Sequence, residues 1–417
     1  MQAYLPLGKF SFGMGDRFGH QGKAQLRACL LAREAGAEVV PVWNKSNREH
    51  LLIGTEPASL RAEADAAVAA LQWRGPWHVD ADHIRLSTVD RFIPPSDFFT
   101  LDVADFIGRS AHDEEIAAFV DRHADLQRRC GLTHADLEQP ARKFLFAVRE
   151  AAKIHRHIAM AKGAENFITE ISMDETDHPQ SPSELLVILA AVADEQIPLQ
   201  TIAPKFPGRF NKGVDYDGDP QVFEQEFQRH LETVGLAIRE FGLPPSLKLS
   251  VHSGSDKFSL YEPIRRSLKK FDAGIHVKTA GTTWIEEMIG MAEVGDEGLS
   301  IVREICVGAL AHIDELAAPY ATVLEIKPAD LPAAEALKNW SPDQFVAALR
   351  HDPRNPDFNS SLRQLVHVSF KLAAAMGGRF YTALREHESA IAKNVTANLF
   401  ERHLKPLLLG STEPIRN

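Results

Sequence analysis

The chain reads as an α/β protein, specifically a (β/α)8 TIM-type barrel with an inserted helical region and a C-terminal helical extension. Three observations predict it. Eight short apolar or alternating segments recur between residues 9 and 281, most are followed by a stretch of good helix formers, and polar side chains gather at the carboxyl ends of several of them. Repeated strand–helix alternation builds parallel strands through right-handed crossovers, and eight such units close a cylinder whose chemistry sits at the carboxyl ends of the strands.

Residues 9–19 alternate apolar with small side chains and then break into glycines; Lys23 to Ala35 follows with helix formers and stops at Gly36. A second apolar run covers 38–43, and the alanine-rich stretch 59–71 predicts an amphipathic helix. Residues 77–84 have period two, with His78, Asp80 and Asp82 on one side and Val79 and Ala81 on the other. The fourth strand is expected at 98–102, after the breaker Pro94-Pro95. The following stretch, 103–163, is helical in pattern and too long for a single crossover, so an inserted helical subdomain is expected there. His155 and His157 are expected on its solvated face, and His78 in a structural role.

The fifth strand lies in 167–177, where Glu170, Ser172 and Asp174 alternate with Ile171 and Met173. His178-Pro179 and the helix start Ser181-Pro-Ser-Glu184 follow, which makes this a buried βα unit with carboxylates at its carboxyl end. The apolar run 185–192 is then a buried crossover helix, because a membrane span needs about 18 residues. A sixth strand at 199–205 leads into a long turn-rich loop at 206–219, a kind of segment that usually carries function. A helix from 221 to 241 stops at Gly242-Leu-Pro-Pro, and the seventh and eighth strands occupy 247–254 and 274–281. The domain reading is a barrel over 1–281, with its helical insertion at 103–163, and a mainly helical extension over 282–417 that holds one further strand at 322–326.

Composition narrows the class. With 417 residues, 44% hydrophobic and 25% charged, the chain has the balance of a globular enzyme and not of a disordered or fibrous protein. A net charge of −11 argues against a nucleic-acid partner, since phosphate binding needs clustered Lys and Arg. Cys29, Cys130 and Cys306 are odd in number, far apart and outside any C-x-x-C pattern, which suggests neither a disulfide framework nor a zinc ribbon and fits a reducing cytoplasm. The first residues lack a basic region followed by an apolar core, so no membrane partner is expected. A homo-oligomer is left open.

Four strands far apart in sequence deliver polar groups to the same end of the barrel: Asp80, Asp82 and His83 from the third, Glu170, Asp174 and Glu175 from the fifth, His252 from the seventh, His276 and Lys278 from the eighth. Imidazoles and carboxylates converging in a cavity suit a divalent cation such as Zn, Mn, Co or Ni. Taken singly, each has a plainer reading. A lone strand histidine is commonly a hydrogen-bonded core residue, and Asp80 and Asp82 are of a type that caps turns. Asp16-Arg17 serves equally as a structural pair or as a grip on a carboxylate or phosphate. Gly13, Gly15 and Gly19 miss the spacing of a dinucleotide fingerprint, and no G-x-S-x-G elbow exists. Lys205 and Lys278 at strand ends, with Arg209 and Lys212 in the loop, make the mouth locally positive and favour an anionic substrate.

Five motifs, Gly13-Met-Gly-Asp-Arg-Phe-Gly19, His78-Val-Asp-Ala-Asp-His-Ile84, Glu170-Ile-Ser-Met-Asp-Glu-Thr176, Val251-His-Ser-Gly-Ser-Asp-Lys-Phe258 and His276-Val-Lys-Thr-Ala-Gly281, together resemble the tagaturonate/fructuronate epimerase family. The resemblance runs from the first strand to Gly281 and on into the C-terminal helices. It implies a metal-dependent epimerase of hexuronate catabolism that interconverts D-tagaturonate and D-fructuronate, small-molecule keto sugar acids. These differ at a hydroxyl-bearing carbon β to the ketone, which enolisation cannot invert and retro-aldol cleavage with re-addition can. In this reading His83, His252 and His276 are the metal ligands, with Asp82 or Glu170 as substitutes. Glu175 or Asp174 is the general base, and Arg17, Asp82, Glu170, Lys205 and Lys278 bind substrate. The alternatives are another metal-dependent sugar-acid or sugar-phosphate isomerase or aldolase, and a non-catalytic sugar-acid-binding barrel.

Overall fold

Eight parallel strands close on themselves in sequence order: β1 (Phe10–Gly15), β2 (Val40–Ser46), β3 (His78–Ile84), β4 (Phe98–Asp102), β5 (Ile168–Ser172), β6 (Thr201–Ala203), β7 (Lys248–His252) and β8 (Ile275–Thr279), which pairs back onto β1. The structure, a computed structural model, describes residues 5–174, 176, 178–252, 256–279 and 281–410. The TIM-type barrel expected from the strand–helix alternation is present.

Alternation along each strand sends every second side chain into the lumen, where neighbouring strands stack them in layers. Val42, Phe98 and Ile168, each at or near the amino end of its strand, form with Leu7 an apolar floor. Lys248 closes that floor, its Nζ lying 2.7 Å from the Gly8 carbonyl oxygen. Two residues further along, Thr100 stands opposite Glu170 and Gly13 opposite Lys278. Gly13 is small for a reason: a Cβ there would lie 2.8 Å from Lys278 Cγ, so its absence lets the lysine cross the lumen.

Helices cover the outside. α1 (Gly22–Glu34), α2 (Asn47–Ile53) and α3 (Pro57–Ala70) follow the first two strands. Between β4 and β5 lie α4 (Asp113–Arg122), α5 (Asp125–Cys130) and the long α6 (His134–Lys162), which starts on a capping box between Thr133 and Asp136 and packs on α7 (Pro182–Asp194). One expectation fails on α6. His155 is buried, with Nδ1 3.1 Å from Thr169 Oγ1 on β5 and its ring against Phe167, because it shares the apolar stripe of Val148, Ala152 and Ile158 at helical spacing. His157 does face outward and pairs with Asp90 at 2.6 Å.

α7 buries Leu185 to Val192, as its apolar run predicts. α8 (Pro220–Phe241), α9 (Phe258–Phe271) and α10 (Thr282–Val294) complete the ring. The strand expected at 322–326 is replaced by a 3-10 turn, Ala318–Val323, and an irregular segment. A closed barrel offers no sheet edge for a ninth strand, so Tyr320 and Leu324 pack instead with Leu365 and Val368. The helices beyond α10 lean on α1, α9 and α10. Arg363 ties them to the barrel: its Nη2 lies 2.5 Å from Asp256 Oδ2, and its Nε donates to the Gly213 carbonyl. Among the described residues no helix is long and apolar enough to cross a membrane.

Candidate active site

The middle of the lumen is a buried charge cluster. Lys278 Nζ lies 2.7 Å from Asp80 Oδ2, 2.8 Å from Asp82 Oδ1 and 3.0 Å from Glu170 Oε1, and it also donates to Thr100 Oγ1. Burial opposes the ammonium, yet the three carboxylates outweigh it and hold Lys278 well above its ordinary value. Asp80 is pushed up to about 7 by burial and by Asp82 and Glu170, with Lys278 offsetting only part. Glu170 goes the other way: burial would raise it, but Lys278 and His252 hold it well below the carboxylate range. One ammonium thus faces three acids, and the lumen carries more negative than positive groups.

Above this layer three side chains converge. His83, Asp174 and His252, all partly buried, offer ligand atoms within 4.8 Å of one another. His252 Nδ1 lies 3.3 Å from Asp174 Oδ2, and its Nε2 lies 2.8 Å from Glu170 Oε1. Burial disfavours the imidazolium, but Asp174 and Glu170 raise His252 to about 10. Asp174 takes a 2.5 Å hydrogen bond from Ser172 Oγ; burial opposes its charge, and His252 keeps its carboxyl below the usual range.

His83 reaches the mouth by a backbone irregularity. Simple alternation after Asp80 and Asp82 would send residue 83 outward. The β3–β4 register shifts between Ala81 and Ile84, and His83 has φ of 48°. A bulge with a non-glycine residue in the left-handed region re-aims a side chain at some cost in strain, and such sites cluster where function needs them. The His83 ring then meets that of His252 edge-on, 5.4 Å between centroids, and His83 Nε2 lies 3.8 Å from Asp82 Oδ1.

The remaining residues singled out in the sequence divide. His276 is set apart from the convergent three. It lies one layer down, its Nδ1 2.9 Å from Ser11 Oγ and its ring 5.2 Å from that of Phe98. Burial lowers its pKa to about 3, so it is a neutral imidazole in the floor, and Asp174 stands where a third histidine was expected. Lys278 and Glu170 pair with each other, Glu170 also meets His252, and Asp82 pairs with Lys278. Glu175 lies outside the described residues.

Arg17 is buried with Nε 3.3 Å from Glu49 Oε1, Nη1 3.3 Å from the His367 carbonyl oxygen and its guanidinium 4.2 Å over Phe370. Its neighbour Asp16 does not pair with it; it accepts the backbone N–H groups of residues 18–21 and shapes the loop after β1. Lys205 donates through Nζ to the Thr176 carbonyl and through its backbone to Gln180 Oε1. Arg209 and Lys212 join the C-terminal helical region, the first through Glu325 at 3.0 Å and the second through its backbone N–H, which donates to the Val323 carbonyl. Sequence reasoning missed Thr100 and Ser172 as partners of the charged groups, although both sit at the inward parity of their strands.

The sequence model of the UxaE tagaturonate epimerase family matches residues 4–407. The tagaturonate/fructuronate epimerase of Thermotoga maritima is 26% identical over 417 residues, spanning 94% of this chain and 80% of that protein. Crystal structures of the fructuronate-tagaturonate epimerase UxaE from Cohnella laeviribosi, native and with two glycerols, superpose with a TM-score of 0.76 at 23% identity, covering 97% of this chain and 83% of theirs, which speaks to the fold. With a match that extends from β1 through the C-terminal helices, the chain belongs to the tagaturonate epimerase family.

Proposed function

We propose that the protein interconverts D-tagaturonate and D-fructuronate, or a closely related keto sugar acid, at the carboxyl end of the barrel, with a divalent cation held by His83, Asp174 and His252. The convergence of those three side chains carries the reading. Their donor set, two imidazoles and a carboxylate, suits Zn, Mn, Co or Ni, and a lumen with an excess of carboxylates over ammonium groups accommodates added positive charge. Such a cation, when bound, supplies Lewis-acid stabilisation of negative charge on substrate oxygen. Residues 1–281 are read as the catalytic barrel and 282–417 as an extension that backs it.

A route that inverts a carbon β to the ketone without an acidic C–H breaks a C–C bond by retro-aldol cleavage and re-forms it. A base takes the hydroxyl proton of that carbon, which becomes the aldehyde of a three-carbon acid. The bonding pair stays on the carbon next to the ketone as an enediolate. Rotation of the aldehyde presents its other face, the bond re-forms, and the base returns the proton to the new alkoxide. Asp174, whose carboxyl is held low beside His252, is a poor base and a good ligand, which leaves Glu175 the base in this reading. Arg17 and Lys205, at the ends of β1 and β6, are the groups proposed to hold the substrate carboxylate.

The test is proton NMR of tagaturonate incubated with the enzyme in D2O. Fructuronate should form with protium retained at the inverted carbon, turnover should vanish on chelation, and Mn²⁺ or Zn²⁺ should restore it. Deuterium at the inverted carbon would rule out the cleavage route, and turnover of phosphorylated ketoses alone would reject the uronate reading.

A further inference from the structure

Glu170 is fully buried on β5, below the mouth. One of its oxygens does all the visible bonding: Oε1 lies 2.8 Å from His252 Nε2, 3.0 Å from Lys278 Nζ and 3.2 Å from Thr100 Oγ1, while Oε2 has no hydrogen-bond partner among the described residues. His252 is therefore flanked by carboxylates on both ring nitrogens, Glu170 at Nε2 and Asp174 at Nδ1. The two acids differ in what else they meet. Asp174 belongs with His83 to the group whose ligand atoms converge, and Glu170 does not.

An imidazole can donate a hydrogen from one nitrogen and offer a lone pair at the other, but its tautomer and ring orientation are free unless something holds them. We propose that Glu170 is the positioning residue of the cation site: it accepts the Nε2–H of His252, so that the Nδ1 lone pair points at a divalent cation shared with Asp174 and His83, and Lys278 and Thr100 in turn fix Glu170. This rests on the metal-centred reading above and adds to it a chain from the lumen to the mouth, Thr100 and Lys278 to Glu170 to His252. A carboxylate on the far nitrogen of a ligating histidine orients the ring and increases its basicity, and its loss typically weakens metal binding about 10–100-fold. It also gives the buried Lys278 a purpose. Without that ammonium a fully buried Glu170 would share the lumen with Asp80 and Asp82 with no ammonium to balance the three carboxylates.

The experiment titrates Co²⁺ and Zn²⁺ calorimetrically into metal-free wild type, Glu170→Gln and Glu170→Ala, and records ¹⁵N-histidine NMR of the Zn²⁺-loaded proteins. Glu170→Ala should weaken both metals about 10–100-fold. Glu170→Gln, whose amide oxygen still accepts a hydrogen bond, should lose less, and being isosteric it carries the test if the alanine variant does not fold. The wild-type spectrum should show His252 metal-bound at Nδ1 with a hydrogen-bonded Nε2–H that disappears in Glu170→Ala. The visible spectrum of saturating Co²⁺ should keep its shape in Glu170→Gln. Unchanged affinity in Glu170→Ala, coordination through Nε2, or a Co²⁺ spectrum showing a lost ligand in Glu170→Gln would overturn the positioning role. Wild type that binds neither metal would instead overturn the metal-centred reading, so the two failures are distinguishable.

Discussion

Lys278 Nζ and Glu170 Oε1 stand 3.0 Å apart in the barrel lumen, on strands β8 and β5 that share no edge. The contact spans the cylinder because Gly13, beside Lys278 on β1, leaves the space that its long stem needs.

Replacing that ammonium should be costly. Lys278→Met leaves Asp80, Asp82 and Glu170 facing one another, and breaking a buried ionic group in this way costs about 3–5 kcal/mol. The sign with pH follows. In the variant the buried acids have folded pKa values raised above their unfolded ones, so protonation favours the native state and the deficit should shrink as pH falls toward 5. Urea unfolding between pH 5 and 8 checks this; a deficit that grows on acidification would contradict the cluster as described.

The space beside Lys278 can be tested alone. Gly13→Ala puts a methyl 2.8 Å from Lys278 Cγ and should cost about 1–3 kcal/mol through overpacking, with a fall in turnover as the lysine is displaced. Thermal unfolding alongside steady-state kinetics reads both effects. A variant with native stability and turnover would mean that the stem does not need that path.

The ligand sets predicted by sequence and by structure separate cleanly. His83→Ala and Asp174→Ala should reduce Co²⁺ affinity by more than the roughly 10–100-fold expected of an outer partner. His276→Asn should leave it close to wild type, because His276 is bonded to Ser11 in the layer below. Loss of metal on changing His276 would restore it as a ligand.

Asp256, between β7 and α9, predicts a separate pH limb in stability. It is buried with Arg363 Nη2 at 2.5 Å, His351 Nδ1 at 3.2 Å and His403 Nε2 at 3.3 Å; burial opposes its charge, and these partners hold it well below the ordinary carboxylate value. A depressed folded pKa contributes stability that is present above the unfolded value of about 3.9 and is lost as pH falls below it. Asp256→Asn should therefore cost about 3–5 kcal/mol near neutrality and flatten the acid limb below about pH 4. Urea unfolding at stepped pH measures both, and a limb as steep as wild type would place the acid sensitivity elsewhere.

Much of this was legible in the chain. Period two in residues 78–82 and 170–174 assigns Asp80, Asp82, Glu170, Ser172 and Asp174 to one face of their strands, and the helix start at Ser181 marks where α7 begins. These are local properties, set by backbone geometry and by side chains within a few residues. Which face a residue takes, and that eight strands with crossovers would close, therefore follow from sequence. Height within the lumen does not. His252 and His276 both point inward, yet the stagger of β7 against β8 sets Ser250, not His252, beside His276 and leaves one histidine at the mouth and the other at the floor. His83 defies alternation altogether, brought to the mouth by a bulge that no neighbouring residue announces. The sequence by itself determined the barrel and the inward faces, since alternation is local; the closed cylinder's register alone decided which inward groups meet, since height depends on how distant strands are staggered.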